Sequence, residues 1–167
     1  MKVIHYLLIF TLLQSCGIYS FTGASISNEI TSVSISNFNI LAPSSPPILS
    51  NLLSETLKDK FNDETSLSIL SNNGDLQFEG EVTSYSLKPI AIQSDETAAQ
   101  NRLTITVKVK YTNLKDDEYN YNSSFSRFRD YSSTQELSSV EQQLLEEITQ
   151  ELIEDILLRI WVLFNPT

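Results

Sequence analysis

The sequence predicts an α+β domain: a single antiparallel or mixed sheet of about four strands with two helices packed on one face. Three observations predict it. Two segments, 48–62 and 139–164, place apolar residues at helical spacing. Several other segments alternate apolar and polar residues with the period of two that marks a half-buried strand. The order is strand, helix, strands, helix, which suits helices gathered on one side of one sheet.

Taken in order, residues 32–38 form the first strand, with Val33 and Ile35 alternating with Ser34 and Ser36. The turn-rich run 42–47 (APSSPP) follows, and its prolines precede a helix start. In that helix Ile48, Leu49, Leu52, Leu53, Leu57 and Phe61 make one apolar stripe, with Ser54, Glu55, Lys58 and Asp59 opposite. Residues 67–70 suit a short strand, and Asn72-Asn73-Gly74-Asp75 is a turn signal. In 76–87, Leu76, Phe78, Gly80 and Val82 share one phase, whereas Tyr85 and Leu87 take the other. A bulge near Thr83–Ser84 explains the change.

The clearest strand is 102–111, with Leu103, Ile105, Val107, Val109 and Tyr111 on one side and Thr104, Thr106, Lys108 and Lys110 on the other. Asp116-Asp117 marks the next turn, and 119–129 is the return strand of a meander. The last helix carries a core stripe of Leu144, Leu145, Ile148, Leu152, Ile156 and Ile160. Ser138 and Glu141 have the Ser-x-x-Glu spacing of a capping box. The apolar run 156–164 predicts burial on most sides at the helix end.

The amino terminus reads as an export signal. Lys2 supplies a positive charge, and 6–13 (YLLIFTLL) is an apolar run of eight, well short of the roughly 20 residues a membrane-spanning helix needs. Leu13-Gln14-Ser15-Cys16 then resembles a lipobox, so the expected division is a signal peptide over 1–15, an acylated tether over 16–28 and one α+β domain over 29–167. Cys16 is the lone cysteine, which excludes an intrachain disulfide and suits lipid attachment. Acyl chains bind a bilayer by about 0.8 kcal/mol per buried CH₂.

Charge and composition narrow the function classes. With 11 basic and 21 acidic residues the chain carries a net charge of −10, and loss of Lys2 with the signal makes it more acidic still. A broad basic surface for nucleic acid is therefore not expected. Cleavage also removes His5, the only histidine, and with it any Ser-His-Asp or Cys-His machinery and any Cys/His metal site. Carboxylates remain: Asp75, Glu79 and Glu81 on one side, and Glu146, Glu147, Glu151, Glu154 and Asp155 on the last helix. Most simply these form solvated faces, and neither an enzyme nor a cofactor is expected. The basic residues are few. Lys108 and Lys110 share one strand face, and Arg127 and Arg129 share a face of the next strand. If the two strands pair, the four charges form a candidate contact for phosphate-bearing lipid headgroups; the plainer reading is solubility. Trp161 and Phe164 form a candidate partner surface at the end of the last helix.

Several segments also resemble a known family in order and spacing. They are Cys16-Gly17-Ile18-Tyr19-Ser20-Phe21, the helix segment LLSETLKDKF (52–61) and the strand DLQFEGEVTSY (75–85). The strand NRLTITVKVKY (101–111), the run FSRFRDY (125–131) and the helix 140–155 complete the series. Together they resemble the lipopolysaccharide-assembly lipoproteins of the LptE family, in a Bacteroidetes-like form. The resemblance implies a lipid-anchored protein on the periplasmic side of the outer membrane. It implies a partner too, the LptD-type β-barrel, which such proteins plug and help to assemble for lipopolysaccharide export. It brings no catalytic residue. A different reading of the residues is a stand-alone lipid- or glycan-binding lipoprotein, which requires a pocket lined by Phe78, Val107 and Tyr121.

Overall fold

The computed structural model describes residues 29–90 and 99–164, apart from the side chains of Trp161, Leu163 and Phe164. The elements are β1 (Ser32–Ile35), β2 (Asn39–Ile40), helix α1 (Ile48–Glu64), β3 (Ser68–Leu70), β4 (Leu76–Ile90), β5 (Gln100–Asn113), a 3₁₀ turn (Asp117–Tyr119), β6 (Tyr121–Ser132) and helix α2 (Leu137–Phe164). The expected α+β class is met, with a sheet of six strands rather than about four. None of the described helices is long and apolar enough to cross a membrane.

The sheet order is β3-β1-β4-β5-β6, with β2 also paired to β4. Its two sides differ in direction. β4, β5 and β6 form the expected antiparallel meander, joined by continuous ladders. β1 lies parallel to both β3 and β4, and β2 lies parallel to β4. The parallel step from β1 to β3 needs a crossover connection, and α1 supplies it. The phase change in β4 is a register shift between Val82 and Ser84. The extra residue, Thr83, donates from its hydroxyl to Thr106 O at 3.3 Å. Beyond it Tyr85 and Leu87 pair with Ile105 and Leu103, on the helix-facing side.

Both helices cover one face, and the core fills the space between. Leu49, Leu53, Leu57 and Phe61 of α1 meet Leu144, Ile148, Leu152 and Ile156 of α2 and the alternate residues of β4 and β5 in one buried cluster. An aromatic row crosses the sheet at one end: Phe61, Phe78, Tyr111, Tyr121 and Phe125, with successive ring centroids 5.3, 5.0, 5.2 and 6.4 Å apart. Such contacts add about 0.5–1.5 kcal/mol each beyond area burial.

Four local expectations are corrected. Ile48 is exposed rather than part of the α1 stripe, because the buried residues step by four from Leu49. Ser54 is fully buried instead of solvated, since its hydroxyl accepts from Phe38 N at 3.0 Å and donates to Ser50 O at 2.7 Å. The Ser138/Glu141 capping box is not formed. Helix α2 already begins at Leu137, and the Glu141 carboxylate accepts from the Tyr85 hydroxyl. The end of α2 is not buried all round, for Leu158 and Val162 are 61% and 54% exposed.

Candidate functional site

The conspicuous strand of the sequence, Asp75 to Tyr85, turns out to be a chain of fastenings. The Asp75 carboxylate accepts from the backbone N–H groups of Thr31 and Ser32 at 2.9 and 3.1 Å and from both their hydroxyls. Lys115 reaches its other oxygen at 3.1 Å. The Thr31 backbone donor, then the Ser32 hydroxyl and Lys115, hold this carboxyl well below the usual aspartate range. Gly74, one residue earlier, lies so close to β1 that a Cβ would stand 2.4 Å from Ser34 N. Gly80 is needed for a similar reason. A Cβ there would lie 2.3 Å from the Phe38 ring, which rests directly on the glycine. Phe38 is itself tied down, as its N–H donates to Ser54 and its carbonyl accepts from Ser50. Burial first, then the Glu141 hydrogen bond, push the Tyr85 phenol up, so it stays a neutral donor to α2.

A second set of charged groups clamps α2 to β6. Arg129 Nε donates to Glu147 at 2.8 Å, and its Nη2 and Nη1 donate to Glu151 at 2.6 and 3.0 Å. Arg127 Nε donates to Asp155 at 2.6 Å. Arg129 lowers the Glu151 pKa, while Gln143 and then Arg129 lower that of Glu147. These carboxylates, singled out as candidate acids, are held by arginine.

The candidate patch of four cations is not assembled. β5 and β6 do pair, but Arg127 stands opposite Ile105 and Arg129 opposite Leu103, on the helix-facing side. Lys108 and Lys110 stand opposite Ser124 and Asn122 on the open side of the sheet. Strand alternation separates the pairs, since neighbouring strands share a face only at matching parity. Lys110 is also paired with Glu79 at 3.0 Å.

The open side of β4, β5 and β6 is polar. It carries cross-strand contacts such as Thr106 to Ser126 at 3.0 Å, and Arg102 forks onto Asp130 at 2.7 and 2.8 Å. The Arg102 guanidinium lies 3.7 Å from the centre of the Phe128 ring. Neither of two open grooves on the surface is lined by Phe78 or Val107, which are sealed in the core. Tyr121 lines one of the grooves, with Lys110, Tyr111 and Asn120. The Tyr111 and Tyr121 hydroxyls are buried, and burial pushes both phenols up. Among the described residues no cluster of His, Cys, Asp and Glu is arranged to hold a metal. Cys16 and the 16–28 tether lie outside the described residues. Trp161 and Phe164 sit on the last turn of α2, with their side chains outside the described set.

Asp75, Gly80 and Tyr85 were visible as spaced letters, but their partners were not. Phe38, Ser54 and Glu141 lie far away in sequence, and no local pattern links them to the strand.

Among the described residues, the fold and these contacts define a class: a small single-sheet α+β domain with one face covered by two helices and one open polar face. The chain belongs to the LptE family, described as lipopolysaccharide-assembly, whose model matches residues 30–160. No curated protein matches the chain. Solved structures share its fold. A minor lipoprotein of Acinetobacter baumannii is 13% identical with a TM-score of 0.52, over 80% of this chain and 94% of that one. A hypothetical protein of Chlamydia trachomatis is 11% identical with a TM-score of 0.50, over 83% and 99%. A protein of Xanthomonas campestris is 13% identical with a TM-score of 0.50, over 80% and 90%.

Proposed function

We propose that this protein is a non-catalytic lipoprotein of the outer membrane. It is anchored through Cys16 on the periplasmic side and held inside an LptD-type β-barrel, where it assists barrel assembly and the delivery of lipopolysaccharide to the outer leaflet. The observation that carries this reading is the family match across 30–160, nearly the whole described domain. Three physical features support it. The core is close-packed, which suits a rigid plug. The charged groups Asp75, Glu147, Glu151 and Asp155 bind other parts of the fold rather than standing free for proton transfer. Among the described residues no element covers the polar face of β4, β5 and β6, which suits contact with a partner.

The test is affinity purification of the full-length chain from detergent-solubilised outer membrane, with mass spectrometry of what accompanies it. The expected result is a large β-barrel protein in stoichiometric amount. A chain that emerges without any barrel sinks the reading. A Cys16→Ala variant is expected to leave the membrane fraction while keeping its fold.

A further inference from the structure

The turn Asn72-Asn73-Gly74-Asp75 carries a chemistry that the assembly role does not use. Asn-Gly occurs once in the chain, at 73–74. An asparagine before glycine is prone to lose its side-chain amide, because no Cβ on the next residue shields the backbone nitrogen that attacks it.

The fold treats the two reacting residues oppositely. Asn73 is exposed and takes φ 56°, the left-handed conformation that asparagine enters more readily than most residues. Its Nδ2 donates to Asn72 Oδ1 at 3.3 Å. Gly74 is buried, and both its backbone polar groups are engaged. Its N–H donates to the Ser34 hydroxyl at 3.2 Å, and its carbonyl accepts from Gln77 Nε2 at 3.3 Å. The next N–H, that of Asp75, donates to the Ser32 hydroxyl at 3.1 Å. A Cβ on Gly74 would stand 2.5 Å from the Val33 carbonyl carbon as well as against Ser34 N, so β1 leaves the glycine no room to move. An exposed electrophile therefore sits beside a nucleophile that β1 holds down.

We propose that Asn73 is a site of spontaneous deamidation, and that the junction of β1 with the start of β4 gates the reaction. In the closed junction the Gly74 proton is bonded to Ser34 and the peptide has no room to turn toward Asn73 Cγ. Local opening frees both. Hydroxide then takes the proton from Gly74 N, and the nitrogen bonds to Asn73 Cγ. The Cγ–Nδ2 bond breaks, and Nδ2 takes a proton from water and leaves as ammonia. Water opens the resulting succinimide at either carbonyl, which leaves aspartate or isoaspartate at 73. Isoaspartate lengthens the main chain by one methylene just ahead of Asp75 and places a new carboxylate near the existing one. The bonds from Gly74 to Ser34 and from Thr31 and Ser32 to Asp75 then lose their register, so the converted junction does not reclose as before.

The test incubates the purified full chain in mildly alkaline buffer, folded and in urea. Peptide mass spectrometry follows the amide-to-acid mass gain at residue 73, and an isoaspartyl methyltransferase labels the isoaspartate. Conversion is expected to be at least about tenfold slower in the folded chain, the ratio set by how rarely the junction opens. Ser34→Ala leaves the Gly74 N–H without its acceptor and is expected to speed conversion of the folded chain about fivefold or more. Asp75→Asn loosens the same junction from the Thr31 side and is expected to act in the same direction, which keeps the gate testable if Ser34→Ala does not fold. Asn73→Gly suits the left-handed turn and is expected to melt close to the parent and to show no conversion there. Chains carrying isoaspartate, separated by ion exchange, are expected to melt below the parent. Equal rates in folded and unfolded chains overturn the gate, as does conversion at the parent's rate in every folded junction variant. No conversion in urea overturns the site itself. Isoaspartate chains that melt with the parent overturn the damage to the junction.

Discussion

The two sides of the sheet are held by different physics. On the β1 side, short polar side chains grip backbone groups, Ser54 from a fully buried position and Asp75 from one that is 17% exposed. Ser54 takes Phe38 N, Asp75 takes Thr31 N and Ser32 N, and the Phe38 ring lies on a glycine with no room for a methyl group. On the β6 side, long charged side chains bridge helix and strand near solvent. Arg127 and Arg129 meet Asp155, Glu147 and Glu151, and each partner is about a quarter to two-fifths exposed. Buried polar fastenings are costly to break, because a donor left alone keeps its full desolvation penalty. Exposed ion pairs are weak and screened by salt. The β1 side is therefore the fixed part of the domain, and the β6 side the part whose attachments conditions can loosen.

The sharpest way to break this comparison is at Phe38. Phe38→Ala is expected to destabilise by about 3–5 kcal/mol in urea unfolding, the cost of emptying a buried aromatic site. Gly80→Ala is expected to cost about 1–3 kcal/mol by overpacking against that ring. The two are coupled. In the Phe38→Ala background the glycine change is expected to lose most of its effect, and additive costs would show that the ring does not rest on Gly80. Ser54→Ala strands the Phe38 N–H and is expected to cost about 1–3 kcal/mol.

The Asp75 fastening gives a pH signature. Its pKa is depressed in the fold, so its contribution is complete above the ordinary value of 3.8 and is lost as pH falls below that value. Asp75→Asn is expected to unfold more easily at pH 7 and to show a flatter decline of stability between pH 4 and the acid limit of folding. A variant as acid-sensitive as the parent would contradict the assignment.

The smallest effects belong to the β6 side. Arg129→Met is expected to cost less than about 1 kcal/mol per pair lost, as for exposed ion pairs in general. That difference is expected to shrink as sodium chloride is raised to molar levels. A loss that salt leaves unchanged would mean that the clamp is not mainly electrostatic.

The same contrast explains what the sequence allowed to be read. The β4–β6 meander and both helices were legible, because hydrophobic period reports which residues face a core. The bulge was legible for the same reason, since Tyr85 and Leu87 change phase. The insertion of β1 between β3 and β4 was not, nor was β2, because period says nothing about neighbours in a sheet. The faces of Arg127 and Arg129 were misjudged relative to Lys108 and Lys110, since the register between β5 and β6 decides it. Ser54 read as surface by residue type, and its partner Phe38 lies 16 residues away.

The most direct test of the role in lipopolysaccharide assembly is depletion of the chain in the cell that makes it, with surface lipopolysaccharide measured by labelling of intact cells. Depletion is expected to reduce the surface fraction, to leave lipopolysaccharide inside the envelope, and to lower the amount of correctly assembled barrel. Full surface lipopolysaccharide and normal barrel after complete depletion would contradict it.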